Sequence, residues 1–116
     1  MKSIIVADDE PALITALTHL LEPEGYGVRP AANGRDALSL HEESPADLIL
    51  SDVMMPMLNG HGLVAELRHR GDWTPVILIS ATAIPTSSVD FVRAIGKPFD
   101  IDELLDLIRV LLRDHA

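Results

Sequence analysis

Apolar residues fall into two alternating patterns along this chain, and the alternation itself predicts an architecture. Short unbroken runs such as Ser3-Ile4-Ile5-Val6-Ala7, Asp47-Leu48-Ile49-Leu50-Ser51 and Pro75-Val76-Ile77-Leu78-Ile79-Ser80 have no in/out alternation, as expected of strands covered on both faces. Between them, apolar residues recur every three or four positions, which marks amphipathic helices. From Pro11 the stripe is Leu13, Ala16, Leu17, Leu20 and Leu21, ending near Pro23 and Gly25. A weaker strand is predicted from Val28 to Ala32 and a short helix from Arg35 to Glu43, after Asn33-Gly34. Another helix runs through Leu63, Val64 and Leu67 to Arg70, where Gly71 stops it. A fifth strand is expected from Phe91 to Ile95, interrupted by Arg93. In the final helix Asp100 is the cap, Glu103 stands in capping-box position, and Ile101, Leu104, Leu105, Ile108, Leu111 and Leu112 make the apolar face. Strands alternating with helices predict βα units around a parallel sheet, in one α/β domain over residues 1–116.

One segment breaks the rhythm. Sixteen residues separate Ser80 from Lys97, and the fifth strand takes about five of them, whereas a typical helix alone needs about 11. Pro85 and the run Thr86-Ser87-Ser88 also oppose a helix. The expectation is a loop, or at most one turn, over residues 81 to 90.

Charge and composition narrow the function. Eighteen Asp+Glu against nine Lys+Arg give a net charge of −9 with no local basic cluster, which argues against direct nucleic-acid binding. The absence of cysteine excludes disulfides and thiolate metal sites and fits a reducing cytoplasm. No apolar run approaches the roughly 18 residues of a membrane span, so no membrane partner is expected and the localisation expected is cytoplasmic.

In a doubly wound parallel sheet, ligands bind beyond the carboxyl ends of the strands. The residues at those ends are Asp8 and Asp9 after the first strand, Asp52 after the third, Ser80 ending the fourth and Lys97 after the fifth. Two carboxylates about 4 Å apart repel by roughly 4 kcal/mol at an effective dielectric near 20. Three of them call for a cation or a shared proton, and Mg²⁺ suits a site that keeps water and takes phosphate oxygens. An aspartate can itself accept a phosphoryl group.

The stretches Ile5-Val6-Ala7-Asp8-Asp9-Glu10, Ala32-Asn33-Gly34-Arg35-Asp36-Ala37-Leu38, Asp47 through Gly60, and Gly96-Lys97-Pro98-Phe99 together resemble the response-regulator receiver family of two-component signalling, over nearly the whole chain. The resemblance implies a flavodoxin-like (βα)5 fold with a doubly wound parallel five-stranded sheet, here with the fourth helix shortened or missing. It implies that Asp52 is the phosphoacceptor, that Asp9 and Asp52 hold Mg²⁺ with Asp8 acting largely through water, and that the backbone carbonyl of Met54 is a further ligand. It also implies that Ser80 is the switch hydroxyl, that Lys97 pairs with the phosphoryl group, and that the Lys97-Pro98 bond is cis. The phosphoryl donor would be a sensor histidine kinase or a histidine phosphotransfer protein, and the output an unidentified downstream protein. Separately, the sheet face that a missing fourth helix leaves bare would be shielded by Ile84 and Val89 or covered by a partner such as a second copy of the chain, giving a homodimer. The protein would then be a signalling module and not an enzyme beyond slow self-dephosphorylation. In two respects the chain departs from the family pattern: Ala94 stands three residues before the lysine, where an aromatic is usual, with Phe91 six before it, and the Ser80-to-Lys97 segment is short.

Plainer readings compete. Asp8 and Asp9 could simply cap the next helix, Ser80 could be a strand-end hydroxyl and Lys97 a solvated charge. Met55 and Met57 read as loop or core filling, Trp73 as a loop residue at the core's edge. His19, His41, His61, His69 and His115 read as surface residues, neither metal ligands nor phosphocarriers. Two other functions remain: a degenerate receiver serving as a constitutive interaction surface, and a metal-dependent aspartyl-phosphate phosphatase. The second is disfavoured because Val53-Met54 follow Asp52, leaving no carboxylate two residues on to act as general acid.

Overall fold

The computed structural model describes residues 1–81 and 91–115. Five strands, β1 (Ser3–Ala7), β2 (Gly27–Ala31), β3 (Leu48–Asp52), β4 (Val76–Ser80) and β5 (Val92–Gly96), form one parallel sheet in the order β2-β1-β3-β4-β5. Four helices among the described residues connect or follow them: α1 (Pro11–Leu21), α2 (Gly34–Glu43), α3 (Gly60–His69) and α4 (Ile101–His115). The expected loop over residues 81 to 90 lies, beyond its first residue, outside the described residues.

The unbroken apolar runs are explained by the period of two in a strand. Ile4, Val6, Leu48, Leu50, Ile77 and Ile79 face one layer, closed by Leu17 and Leu21 of α1 and by Leu104, Ile108 and Leu111 of α4. Their neighbours Ile5, Ala7, Ile49, Val76 and Leu78 face the other, closed by Ala37 and Leu38 of α2 and by Leu63 and Leu67 of α3. Every residue of β3 and β4 is buried, whereas the edge strands β2 and β5 are only partly so.

Helix ends follow local chemistry. Asn33 caps α2, its side-chain oxygen accepting the Asp36 N–H at 2.8 Å, and Asn59 caps α3 by accepting the Gly62 N–H at 2.8 Å. Asp100 accepts from the N–H groups of Asp102 and Glu103 at the start of α4, as its sequence position predicted. The N-cap residue of α1, Glu10, makes no side-chain cap, and its own N–H donates to Asp8 at 2.8 Å, so a role at the helix start engages one oxygen of Asp8.

His41 is a correction. It is 3 % exposed and not a surface residue. Its spacing from Ala37 and Leu38 carries it onto the inward face of α2, and backbone and side-chain partners satisfy both ring nitrogens. Met57 is a loop residue, one of the two readings expected of it, 72 % exposed and with a backbone φ of 69°. Met55 does pack partly against the core. Trp73 is half exposed, with the Arg68 guanidinium 5.4 Å from its ring centroid.

Candidate functional site

Strand order reverses between β1 and β3, and that switch point brings the carboxyl ends of the two strands side by side. Asp8 and Asp9 follow β1, and Asp52 is the last residue of β3. Each offers a carboxylate oxygen, and the three atoms lie within 4.8 Å of one another. Asp8 and Asp52 are buried, Asp9 exposed.

The three carboxylates are not equivalent. One oxygen of Asp8 accepts the Glu10 N–H at 2.8 Å, while its Oδ2 is buried without a hydrogen-bond partner. Burial pushes the Asp8 carboxyl above its ordinary value; the Glu10 N–H opposes this, the charge on Asp52 adds to it and that on Lys97 subtracts. An orphaned buried oxygen on one of three crowded carboxylates is a poor arrangement for a bare protein. It suits a hard divalent cation with oxygen ligands, so the residues present fit Mg²⁺.

Lys97 closes the other side. Its N–H donates to the Ser80 carbonyl at 2.7 Å, extending the β4–β5 pairing by one residue, and the Lys97-Pro98 bond is cis as expected. The side chain then reaches Asp52, with Nζ 3.3 Å from Oδ2. Ser80 is buried at the end of β4. Met54 lies two residues beyond Asp52, its side chain 75 % exposed. The loop it belongs to is tied down twice: the Gly60 N–H donates to the Val53 carbonyl at 3.0 Å, and the Gly34 N–H to the Leu58 carbonyl at 3.1 Å. A Cβ at Gly60 would come within 2.7 Å of the Asp52 carbonyl oxygen, so only glycine fits beneath the acidic residue. The structure thus gathers Asp8, Asp9, Asp52 and Lys97 into one cluster.

The response regulator receiver domain model matches residues 4–109. This chain belongs to that family. The receiver domain is 33 % identical over 115 residues to the transcriptional regulatory protein TcrA of Mycobacterium tuberculosis, covering 95 % of this chain and 46 % of that protein. It is 37 % identical over 121 residues to the uncharacterized transcriptional regulatory protein YkoG of Bacillus subtilis, covering 97 % and 52 %. The chain therefore spans about half the length of these curated relatives. Among solved structures, the Francisella response regulator 1452 receiver domain superposes with a TM-score of 0.89 at 31 % identity, covering all of both chains. The response regulator TrrA of Thermotoga maritima, solved in complex with Mg²⁺ and BeF, gives 0.85 at 31 % identity, covering 96 % of this chain and 99 % of that one. Receiver domains serve as signalling modules in two-component systems. Among the described residues no helix is long and apolar enough to cross a membrane.

Two features, one beside the site and one at the opposite end of the strands, are not legible in the sequence. In the sequence Asn33-Gly34 reads as the turn before the second helix and as part of the receiver-like pattern; in the structure Gly34 is the first residue of α2 and a place where backbone comes close to backbone. The partners of His41, namely Asp72, Thr74 and the Ala46 N–H, come from connections far apart in sequence, and only the stripe position of His41 hinted at burial.

Proposed function

We propose that this receiver domain accepts a phosphoryl group on Asp52 from a phosphohistidine of a sensor histidine kinase or histidine phosphotransfer protein, and that phosphorylation switches its contacts with a downstream protein. The observation that carries this reading is the buried Asp52 carboxylate, at once 3.3 Å from the Lys97 ammonium and within 4.8 Å of oxygens of Asp8 and Asp9. Asp8, Asp9, Asp52 and the backbone carbonyl of Met54 would hold Mg²⁺. When bound, the ion supplies positive charge to neutralise phosphoryl oxygens.

The chain's own groups do the rest. Asp52 sits at the end of a fully buried strand, so its carboxylate is held in place for attack on phosphorus while the phosphorus–nitrogen bond of the donor breaks. Lys97 fixes that carboxylate and, after transfer, offers its ammonium to the added negative charge. Ser80, buried one strand away, supplies a hydroxyl as a further donor. Lys97 is thereby a contact that differs in strength between the two states, which is what a switch requires.

Incubation with acetyl phosphate tests the reading. Intact mass is expected to rise by one phosphoryl group in the presence of Mg²⁺ and not when the ion is chelated. A mass unchanged under both conditions would favour the constitutive interaction module instead. Repeated turnover of a small phosphomonoester would favour the phosphatase.

A further inference from the structure

We infer that Gly34, the first residue of α2, is a positioning residue for the Mg²⁺ site, acting through the loop that carries Met54. The inference rests on the function proposed above. The Gly34 N–H donates to the Leu58 carbonyl at 3.1 Å. A Cβ at Gly34 would stand 2.1 Å from that carbonyl oxygen, 2.9 Å from its carbon and 3.0 Å from the Leu58 Cβ, the tightest approach of any glycine in the described residues. These are mostly backbone atoms, which cannot swing aside as the end of a side chain can. The turn behind Gly34 is equally fixed, since Asn33 exchanges hydrogen bonds with the amide and the carboxylate of Asp36.

Leu58 and Met54 belong to one short loop, closed by the bond from the Gly60 N–H to the Val53 carbonyl. Pushing Leu58 away from α2 therefore moves the loop that presents the Met54 carbonyl. The contact would have to open by roughly an ångström, while Mg²⁺ demands near-ideal octahedral geometry at about 2.0–2.1 Å. The helix on one face of the sheet thus sets how well the acidic site binds its ion. Gly62 provides a control, because a Cβ there would meet the Leu58 Cδ1 at 2.8 Å, the flexible end of the same residue's side chain.

Mg²⁺ is titrated into the unphosphorylated protein and followed by backbone amide chemical shifts, with no turnover involved. Gly34→Ala is expected to raise the half-saturating Mg²⁺ concentration about tenfold, as loss of an outer support to a metal site does. Gly62→Ala is expected to leave it unchanged. Asn33→Ala, which loosens the turn without adding atoms, should raise it in the same direction by a smaller factor and serves if Gly34→Ala does not fold. A folded Gly34→Ala with the parental value, or a Gly62→Ala that rises equally, overturns the assignment. So does a parental Asn33→Ala where Gly34→Ala fails to fold. A parent protein that binds no Mg²⁺ overturns the function proposed above, which separates the two failures.

Discussion

The two edges of the sheet treat buried polar groups in opposite ways. At the amino edge, His41, Asp72 and Thr74 and the Ala46 backbone form a closed knot. The Ala46 N–H donates to His41 Nδ1 at 3.0 Å, so the proton of the neutral ring lies on Nε2, which donates to Asp72 Oδ2 at 2.8 Å. The Thr74 hydroxyl and amide donate to Asp72 Oδ1 at 2.6 and 2.9 Å. At the carboxyl edge, Asp8 keeps a buried oxygen without a partner beside two more carboxylates, with one ammonium at 3.3 Å from Asp52. A satisfied network contributes stability, whereas a half-satisfied one costs it. The contrast separates a part of the molecule built to hold α2 and two connections together, those leading into β3 and β4, from a part built to receive something.

The largest expected effect comes from opening the knot. His41→Ala leaves a cavity and strips partners from Asp72 and the Ala46 N–H. Destabilisation of about 3 kcal/mol is expected, seen as a melting temperature lower by roughly 10 °C. The fraction still folded should bind Mg²⁺ as the parent does; a weakened affinity would show that the two edges are coupled.

A smaller effect follows from Asp72. Burial pushes its carboxyl up, but the two Thr74 hydrogen bonds and the one from His41 outweigh burial and hold it below the ordinary value of 3.8. A carboxyl whose folded-state pKa is depressed contributes stability above its unfolded pKa and loses it as pH falls through the folded one. The parent should therefore lose stability on acidification below about pH 4, and Asp72→Asn, weaker by about 1 kcal/mol at neutral pH, should lack that component. Parallel pH–stability curves for the two proteins would place the titrating group elsewhere.

The carboxyl edge should respond with the opposite sign. Asp8→Asn removes one of three crowded charges, so the metal-free protein should gain about 1 kcal/mol and lose most of the thermal stabilisation conferred by Mg²⁺. Destabilisation of the metal-free variant would mean that Asp8 is held by interactions that favour its charge.

The difference between the edges also explains what could be read from the chain. Strand ends in a doubly wound sheet converge by topology, so Asp8, Asp9, Asp52 and Lys97 were legible once β1, β3 and β5 were recognised, and the buried runs made the strands plain. The knot joins residues on α2, before β3 and before β4 whose proximity depends on connection geometry, which no periodicity encodes. The absence of paired ligand spacing among the histidines points to surface residues, but the spacing of His41 from Ala37 and Leu38 points it inward, and burial decides. The Gly34 contact was hidden for a similar reason: a backbone-to-backbone approach leaves no side-chain pattern beyond the glycine itself.

The most direct test of the central claim compares the parent with Asp52→Asn under identical acetyl phosphate and Mg²⁺, by intact mass followed by peptide mapping. The expected result is one phosphoryl group on the parent, located on the peptide containing Asp52, and none on the variant. Equal labelling of Asp52→Asn, or a phosphoryl group mapped to another peptide, would contradict the assignment of Asp52 as phosphoacceptor.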